Sequence, residues 1–311
     1  MKAVRIHKYG GKEVLMVDDA PRPEPREGEV LIRVHASSVN LFDTAVREGY
    51  MHVYFNYTFP LILGTDVSGV IEEVGEGVTD WKPGDEVYTR AGVFLEGAHA
   101  EYVRVPASNI ARKPESVDHI HAAALPQVSL AAWYALIDLA NLSEGQTVLI
   151  HGAAGGVGHI AAQLAHQRGA KVIGTASLNL PLLKDFGVDE IIDYSSSSFD
   201  EEVKDVDVVL DLVGGDTQER SWKVIKPGGI LVTSQAMPAS QEVAEAHGVR
   251  AGHVNNTPPM GATLTELAAL VDAGKIKPHV STVLSLDEIR KAHELLEARH
   301  TAGKIALRVI H

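Results

Sequence analysis

The sequence predicts an α/β chain in which a doubly wound parallel sheet is set between two pieces of an antiparallel, barrel-like β domain. Three observations carry that expectation. Near-continuous apolar runs recur through the middle of the chain with helical stretches between them. One of those runs enters a loop of small residues that opens into a helix. Both flanks read instead as short strands separated by turns. Continuous apolar strands alternating with helices are what a parallel sheet covered on both faces requires.

The first flank, residues 1–118, begins with a strand-like Met1–Ile6 and a polar connection, Pro21-Arg22-Pro23-Glu24-Pro25. Strands follow at Glu29–Ala36, Val67–Val74, Glu86–Thr89 and Ala100–Val105. Gly75-Glu76-Gly77 and Pro83-Gly84-Asp85 mark turns between them. The central domain, residues 119–257, carries apolar runs at Thr147–Ile150, Lys171–Ser177, Glu190–Tyr194, Val206–Gly214, Gly229–Ser234 and Val249–Val254. Residues 258–311 return to the first domain, with helices at Leu264–Ala273 and Leu286–Arg299 and a last strand at Lys304–Ile310. One domain inserted into another creates a cleft, and such clefts are common ligand sites.

The loop after the first central strand is Gly152-Ala153-Ala154-Gly155-Gly156-Val157-Gly158, and helical composition continues to Arg168. Helix N-termini carry unpaired N–H groups and a partial positive charge, so a pyrophosphate is well placed there. Glycines let the backbone approach it and let helix pack on strand. The spacing, G-x-x-G-G-x-G, differs from the usual G-x-G-x-x-G, and a tight turn of any α/β domain is the alternative. The run of strands around the loop favours a Rossmann dinucleotide site built on Gly155, Gly156, Val157 and Gly158. An NAD site places a carboxylate at the end of the second strand for the ribose hydroxyls. Here that end reads Thr175-Ala176-Ser177-Leu178-Asn179, with no acid before Asp185. Ser177 and Asn179 are therefore expected to hydrogen-bond the 2′-phosphate of NADP(H); forming a polar turn is their other possible role.

Composition narrows the function classes. Net charge is −13 without a basic cluster, which argues against nucleic acid and anionic membranes as partners. No apolar run reaches the ~18 residues of a membrane span, and Met1–Ile6 lacks a signal-peptide core. There is no cysteine, so disulfides and thiolate metal sites are excluded, and the cytoplasm is the expected address. His119-x-His121 has metal-ligand spacing, but it stands just ahead of a helical stretch with no third ligand in sight, and no metal is expected there.

The motifs Val39-Asn40-Leu41-Phe42-Asp43, Leu63-Gly64-Thr65-Asp66-Val67-Ser68-Gly69-Val70 and Val74-Gly75-Glu76-Gly77-Val78 occur in order along the chain. So do Trp81-Lys82-Pro83-Gly84-Asp85-Glu86-Val87, Ala98-His99-Ala100-Glu101-Tyr102-Val103, Ala131-Ala132-Trp133-Tyr134-Ala135-Leu136 and the glycine loop. With them the chain resembles the medium-chain dehydrogenase/reductase superfamily. Within it, the chain is similar to the zinc-independent quinone oxidoreductase and enone reductase branch. The resemblance implies a GroES-like catalytic domain, a Rossmann coenzyme domain, and hydride transfer from NADPH to a quinone or an activated alkene. It also implies that Asn40, Thr65 and Asp66 stand where zinc-dependent relatives carry cysteine, histidine and glutamate, a third ligand falling near Val128. A zinc site of N and S ligands is therefore not expected. Tyr194 matches a position near the 2′-phosphate, and Val213 is expected to complete the coenzyme contacts. Related reductases put a Lys or Arg just after the serine; Leu178 stands there instead, which limits the expected preference for NADPH.

Without a metal, hydrogen-bond donors must stabilise the enolate or hydroquinone anion. Asn40 is the first candidate, for the nicotinamide ribose or the substrate carbonyl; a bond that only stabilises its loop is the alternative. Tyr50 and Tyr54 of Gly49–Tyr57 could donate to a substrate oxygen or merely line an apolar wall, and His52 is a further donor. Asp43 reads as a residue that orders the loop, and water can supply the final proton. A coenzyme-binding, crystallin-like or regulatory protein with little turnover is the rival reading, because its glycine loop would be the same. A homodimer is expected through 249–254, the edge of the parallel sheet.

Overall fold

The computed structural model describes residues 1–92, 97–235, 237–255 and 259–310. The chain divides into two compact units, Met1–Gln127 with Pro258–Gly274 and Pro278–His311, and Val128–Thr257 with Lys275–Lys277. The first crossing falls at Gln127/Val128; the expected limit at 257/258 lies outside the described residues.

The first unit starts with β1 (Lys2–Ile6), β2 (Met16–Asp19), β3 (Glu29–Ser38), α1 (Leu41–Arg47), β4 (Leu61–Ile62), β5 (Asp66–Val74), β6 (Glu86–Arg90), β7 (Tyr102–Pro106), β8 (Ala111–Arg112) and α2 (His119–Ala123). Helix α3 (Pro126–Trp133) leads into a π-helical stretch, Tyr134–Leu139. The second unit follows with β9 (Thr147–His151), α4 (Gly156–Gln167), β10 (Lys171–Ala176), α5 (Leu180–Asp185), β11 (Glu190–Asp193), α6 (Phe199–Glu202), β12 (Val206–Asp211), α7 (Asp216–Ser221), β13 (Ile225–Thr233), α8 (Gln241–Ala246) and β14 (Arg250–His253). The chain closes with α9 (Gly261–Asp272), β15 (Val280–Ser285), α10 (Ile289–Glu297) and β16 (Lys304–Arg308).

In the first unit β3 is the organising strand. It pairs antiparallel with β5 along most of its length, and with β7 and β16 along its two halves. Alternate residues of a strand share a face, and Val30, Ile32 and Val34 point into a core with Val67, Ile71, Val87, Val103 and Val105. Gly69 of β5 faces a bulge in this pairing; a Cβ there would lie 2.1 Å from the Arg33 carbonyl oxygen, so only glycine fits. The order β16-β3-β5-β6 brings four polar residues, each far apart in sequence, to one end of adjacent strands: Lys304, Ser38, Asp66 and Arg90. Asp66 sits opposite both Ser38 and Arg90 in register.

The second unit is a parallel six-stranded sheet among the described residues, in the order β11-β10-β9-β12-β13-β14. After β9 the chain builds outward through β10 and β11, then returns to β12 on the other side. The reversal lies between β9 and β12, and ligands of open α/β sheets bind at such switch points, beyond the strands' C-terminal ends. Strands β9 and β12 are buried throughout except at Thr147, which explains their unbroken apolar runs.

Some expectations need local correction. His119 and His121 lie inside α2 rather than ahead of it, because the Asp118 carboxylate accepts from the His121 N–H and caps the helix. Segment 286–299 is a 3₁₀ turn at Leu286–Glu288 followed by the shorter α10. Helix α1 had no periodic signal; Asn40 is its N-cap residue, and the Asp43 carboxylate accepts from the Asn40 N–H at 2.8 Å.

Candidate active site

The glycine loop occupies the switch point of the second unit. Gly152 takes φ +70°, a left-handed turn that glycine adopts without strain. Gly155 precedes α4 in an extended conformation, and no side chain caps the helix. The first-turn N–H groups thus remain available to an anion. A Cβ on Gly158 would lie 2.2 Å from the Gly152 carbonyl oxygen and 2.7 Å from the Ala153 Cα, so helix and turn could not pack this closely around any larger residue. Behind the loop, the buried His151 ring donates from Nε2 to Ser221 Oγ at 2.9 Å, and Ser221 in turn donates to the Thr217 carbonyl. The Thr175 hydroxyl donates to His151 Nδ1 at 3.2 Å. Burial pushes His151 down to about 4, so the ring stays neutral and keeps these roles at neutral pH.

The other expected coenzyme residues stand at the ends of neighbouring strands. Ser177 Oγ donates to Tyr194 Oη at 2.7 Å. Asn179 adopts φ +57° at the N-terminus of α5. Leu178, Tyr194 and Val213 are exposed apolar or aromatic side chains. Val213 and Gly214 both donate their N–H to Asp211 Oδ1, which sets the turn after β12. Ser177 and Tyr194 are thus brought together from residues 17 apart. One neighbour was not read along the chain. Asp193 of β11 pairs with Ala176 across the sheet. Its carboxylate accepts from the Ser195 hydroxyl and N–H, which hold it below the ordinary carboxylate range.

In the first unit Asn40 belongs to a buried polar cluster. Its Nδ2 donates to Asp66 Oδ2 at 2.8 Å and to Thr65 Oγ1 at 3.2 Å. Its Oδ1 accepts from Lys304 Nζ at 2.6 Å. Lys304, 3% exposed, also donates to the Val39 carbonyl at 2.9 Å and to Asp66 Oδ2 at 3.3 Å. Asp66 further accepts from Ser38 Oγ at 2.6 Å and from the Gln127 N–H at 2.7 Å. Both amide hydrogens of Asn40 are therefore engaged inside the cluster. Asp43 is buried beside it, and burial pushes its carboxyl up to about 7; the Asn40 N–H, Lys304 and Arg90 oppose that rise, and Asp66 adds to it. Lys304 escaped the sequence reading. Its signal was a lysine opening an otherwise apolar strand, Lys304-Ile305-Ala306-Leu307.

A half-open pocket adjoins this cluster. Phe42, Val46, Tyr57, Leu61, Ile62 and Leu63 make it mainly apolar, and Asp43 and Thr65 supply polar groups. Tyr50 and Tyr54 are 70% and 61% exposed and do not line it. His52 donates to the Gly49 carbonyl within its own turn.

Zinc does not fit this cluster. Asn40, Thr65 and Asp66 offer an amide, a hydroxyl and one carboxylate, and they already surround an ammonium group. A dication would have to displace or adjoin that positive charge, and the N and S ligands zinc favours are missing. Among the described residues no group of three or more His, Asp or Glu could hold a metal ion.

Comparison with known proteins agrees with this architecture. Residues 26–115 match the alcohol dehydrogenase GroES-like domain family, and residues 186–307 match a family described as zinc-binding dehydrogenase. The chain belongs to the medium-chain dehydrogenase/reductase family. Within that family the proteins it is similar to include quinone oxidoreductases and a reductase as well as an NAD-dependent alcohol dehydrogenase, and one matched description names a metal that this chain's residues do not fit. The "NAD(P)H oxidoreductase RTN4IP1, mitochondrial" of Mus musculus is 34% identical over 100% of this chain and 89% of its own length. The "2-haloacrylate reductase" of a Burkholderia species is 31% identical over 98% of each. The quinone oxidoreductase structure from Coxiella burnetii is 36% identical with a TM-score of 0.94, covering 100% of this chain and 99% of that one. The Escherichia coli quinone oxidoreductase, solved with NADPH, is 28% identical with a TM-score of 0.89, covering 99% and 100%. The chain is therefore an oxidoreductase of the NAD(P)H-dependent kind.

Proposed function

We propose that this protein reduces a quinone or an α,β-unsaturated carbonyl compound with NADPH and without zinc. The observation that carries the reading is the donor set of the buried cluster, where the amide of Asn40, the hydroxyl of Thr65 and the carboxylate of Asp66 stand at the ligand positions and the Lys304 ammonium group is bonded to two of them. Bound NADPH supplies the hydride. The N–H groups of Gly156, Val157 and Gly158 hold the pyrophosphate, and Gly155, whose own N–H donates to the Gly152 carbonyl, leaves room for it to approach the backbone. Ser177, Asn179 and Tyr194 take the 2′-phosphate, with Val213 against the coenzyme. The apolar pocket receives the ring or alkene of the substrate. Asn40 holds the nicotinamide ribose or the substrate carbonyl, exchanging one cluster bond to do so. Tyr50 and Tyr54 stand exposed outside that pocket, and water supplies the final proton.

Loss of nicotinamide absorbance over a panel of quinones, enones and alkenals, with NADPH and NADH side by side, tests this reading. Turnover of one class with NADPH supports it. Tight NADPH binding with no turnover across the panel would favour a coenzyme-binding protein of crystallin-like or regulatory type.

The same reading includes a cytoplasmic homodimer joined through β14. That strand ends the parallel sheet, and an open edge invites pairing with a two-fold partner. It is short, four residues, and carries Arg250 and Gly252, so the flanking Val249 and Val254 must contribute. Sedimentation checks it: a concentration-independent mass of 33.4 kDa excludes the dimer.

A further inference from the structure

Tyr57 has no part in the roles above, and its surroundings give it one. Like Phe42 and Leu61, its ring packs against the apolar cluster that includes Val39, Val46 and Leu63, edge-on to Phe55 at 5.8 Å. It lines the pocket beside Asp43 and Thr65. Its hydroxyl is buried and has no hydrogen-bond partner in the protein. Buried polar atoms are nearly always paired, so an orphaned one needs an explanation. The other polar side chains of the pocket are already bonded to Asn40: Asp43 accepts from its N–H and Thr65 from its amide.

We propose that Tyr57 Oη donates the hydrogen bond that holds the carbonyl or quinone oxygen of a ligand in this pocket, with the ligand's apolar frame against Phe42, Val46 and Leu61. The assignment rests on the reading of the chain as a reductase of such compounds. It replaces Tyr50 and Tyr54 as the donor inside the pocket, because those two phenols stand in solvent. The phenol gives a hydrogen bond and keeps its proton; no covalent bond changes at Tyr57. Burial first, then Tyr9 and Asp43, push the phenol up to about 12, so it remains a donor across the working range. As negative charge gathers on the substrate oxygen, a fixed donor aimed at it gains strength.

The test is a paired titration of the full-length protein with cyclohexanone and with methylenecyclohexane, a hydrocarbon of nearly the same shape without the oxygen. Tyr57→Phe should weaken the ketone about tenfold, the effect of one lost hydrogen bond, and leave the hydrocarbon unchanged. Equal weakening of both ligands would make Tyr57 a wall residue and overturn the assignment, as would no change in either. If Tyr57→Phe does not fold, 3-fluorotyrosine at position 57 serves instead; its stronger donor should tighten the ketone alone, and unchanged binding overturns the assignment. The comparison needs no turnover, so a parent inactive on every quinone and enone would defeat the proposed reaction while this titration still decides the role of Tyr57.

Discussion

Removing the ammonium group of Lys304 should destabilise the first unit by about 3 kcal/mol. Lys304→Met keeps most of the side-chain volume and deletes three hydrogen bonds, to Asn40 Oδ1, the Val39 carbonyl and Asp66 Oδ2. Lys304 and Asp66 are 3% and 0% exposed, so water cannot replace the lost partner. Breaking a buried ion pair from one side costs about 3–5 kcal/mol. The lower end applies here, because Asp66 keeps donors from Ser38, Asn40 and Gln127. For a domain of this size that is about 6–12 °C in melting temperature. Lys304→Met/Asp66→Asn should recover at least about 1 kcal/mol relative to the sum of the single changes, as contacting residues couple. Thermal melts and urea titrations of the four proteins at neutral pH measure this. A Lys304→Met melt within about 2 °C of the parent, or strict additivity, would refute the view that Lys304 closes the cluster.

Three further outcomes follow from the site. NADPH should bind more tightly than NADH by roughly 1–3 kcal/mol, the range for a hydrogen bond to a charged group. Leu178→Lys should widen the gap and Ser177→Asp reverse it, and fluorescence titration showing equal affinities would defeat that reading. Activity should survive a chelator and elemental analysis should find substoichiometric zinc; zinc lost together with activity would contradict the donor set described here. Asp43 gives a pH signature. Its folded value of about 7 lies above the ordinary 3.8, so the folded protein holds a proton that the unfolded chain releases in between. That stability is fully present below about pH 4 and is lost as pH rises to about 7. Asp43→Asn should therefore gain on the parent by up to roughly 4 kcal/mol between pH 4 and pH 8. A difference independent of pH, read by urea unfolding, would mean that Asp43 is ionised in the fold throughout.

The fold was legible in the sequence because it is written in local patterns. Continuous apolar runs such as Val206–Leu212 report burial on both faces, and the glycines of 152–158 report a turn that must pass close to its own helix. Those signals need no knowledge of distant residues, and the fold class follows from them. The glycine loop was legible for the same reason; Gly158 is required by an approach to Gly152 and Ala153, only a few positions away.

What only the tertiary structure decided is how residues distant in sequence meet. Lys304 reaches Asn40 from 264 residues away, because β16 pairs with the end of β3; no periodicity along the chain encodes that register. Asp193 adjoins the end of β10 only through strand pairing. Among the aromatics of 50–57 the sequence determined a ring-rich segment, but composition cannot say which ring turns inward. Packing against the core of Val39, Val46 and Leu63 chose Tyr57 and left Tyr50 and Tyr54 in solvent. Chain-local chemistry determined the class of protein, whereas the charges that meet in its core depend on contacts that exist only once the sheets have formed.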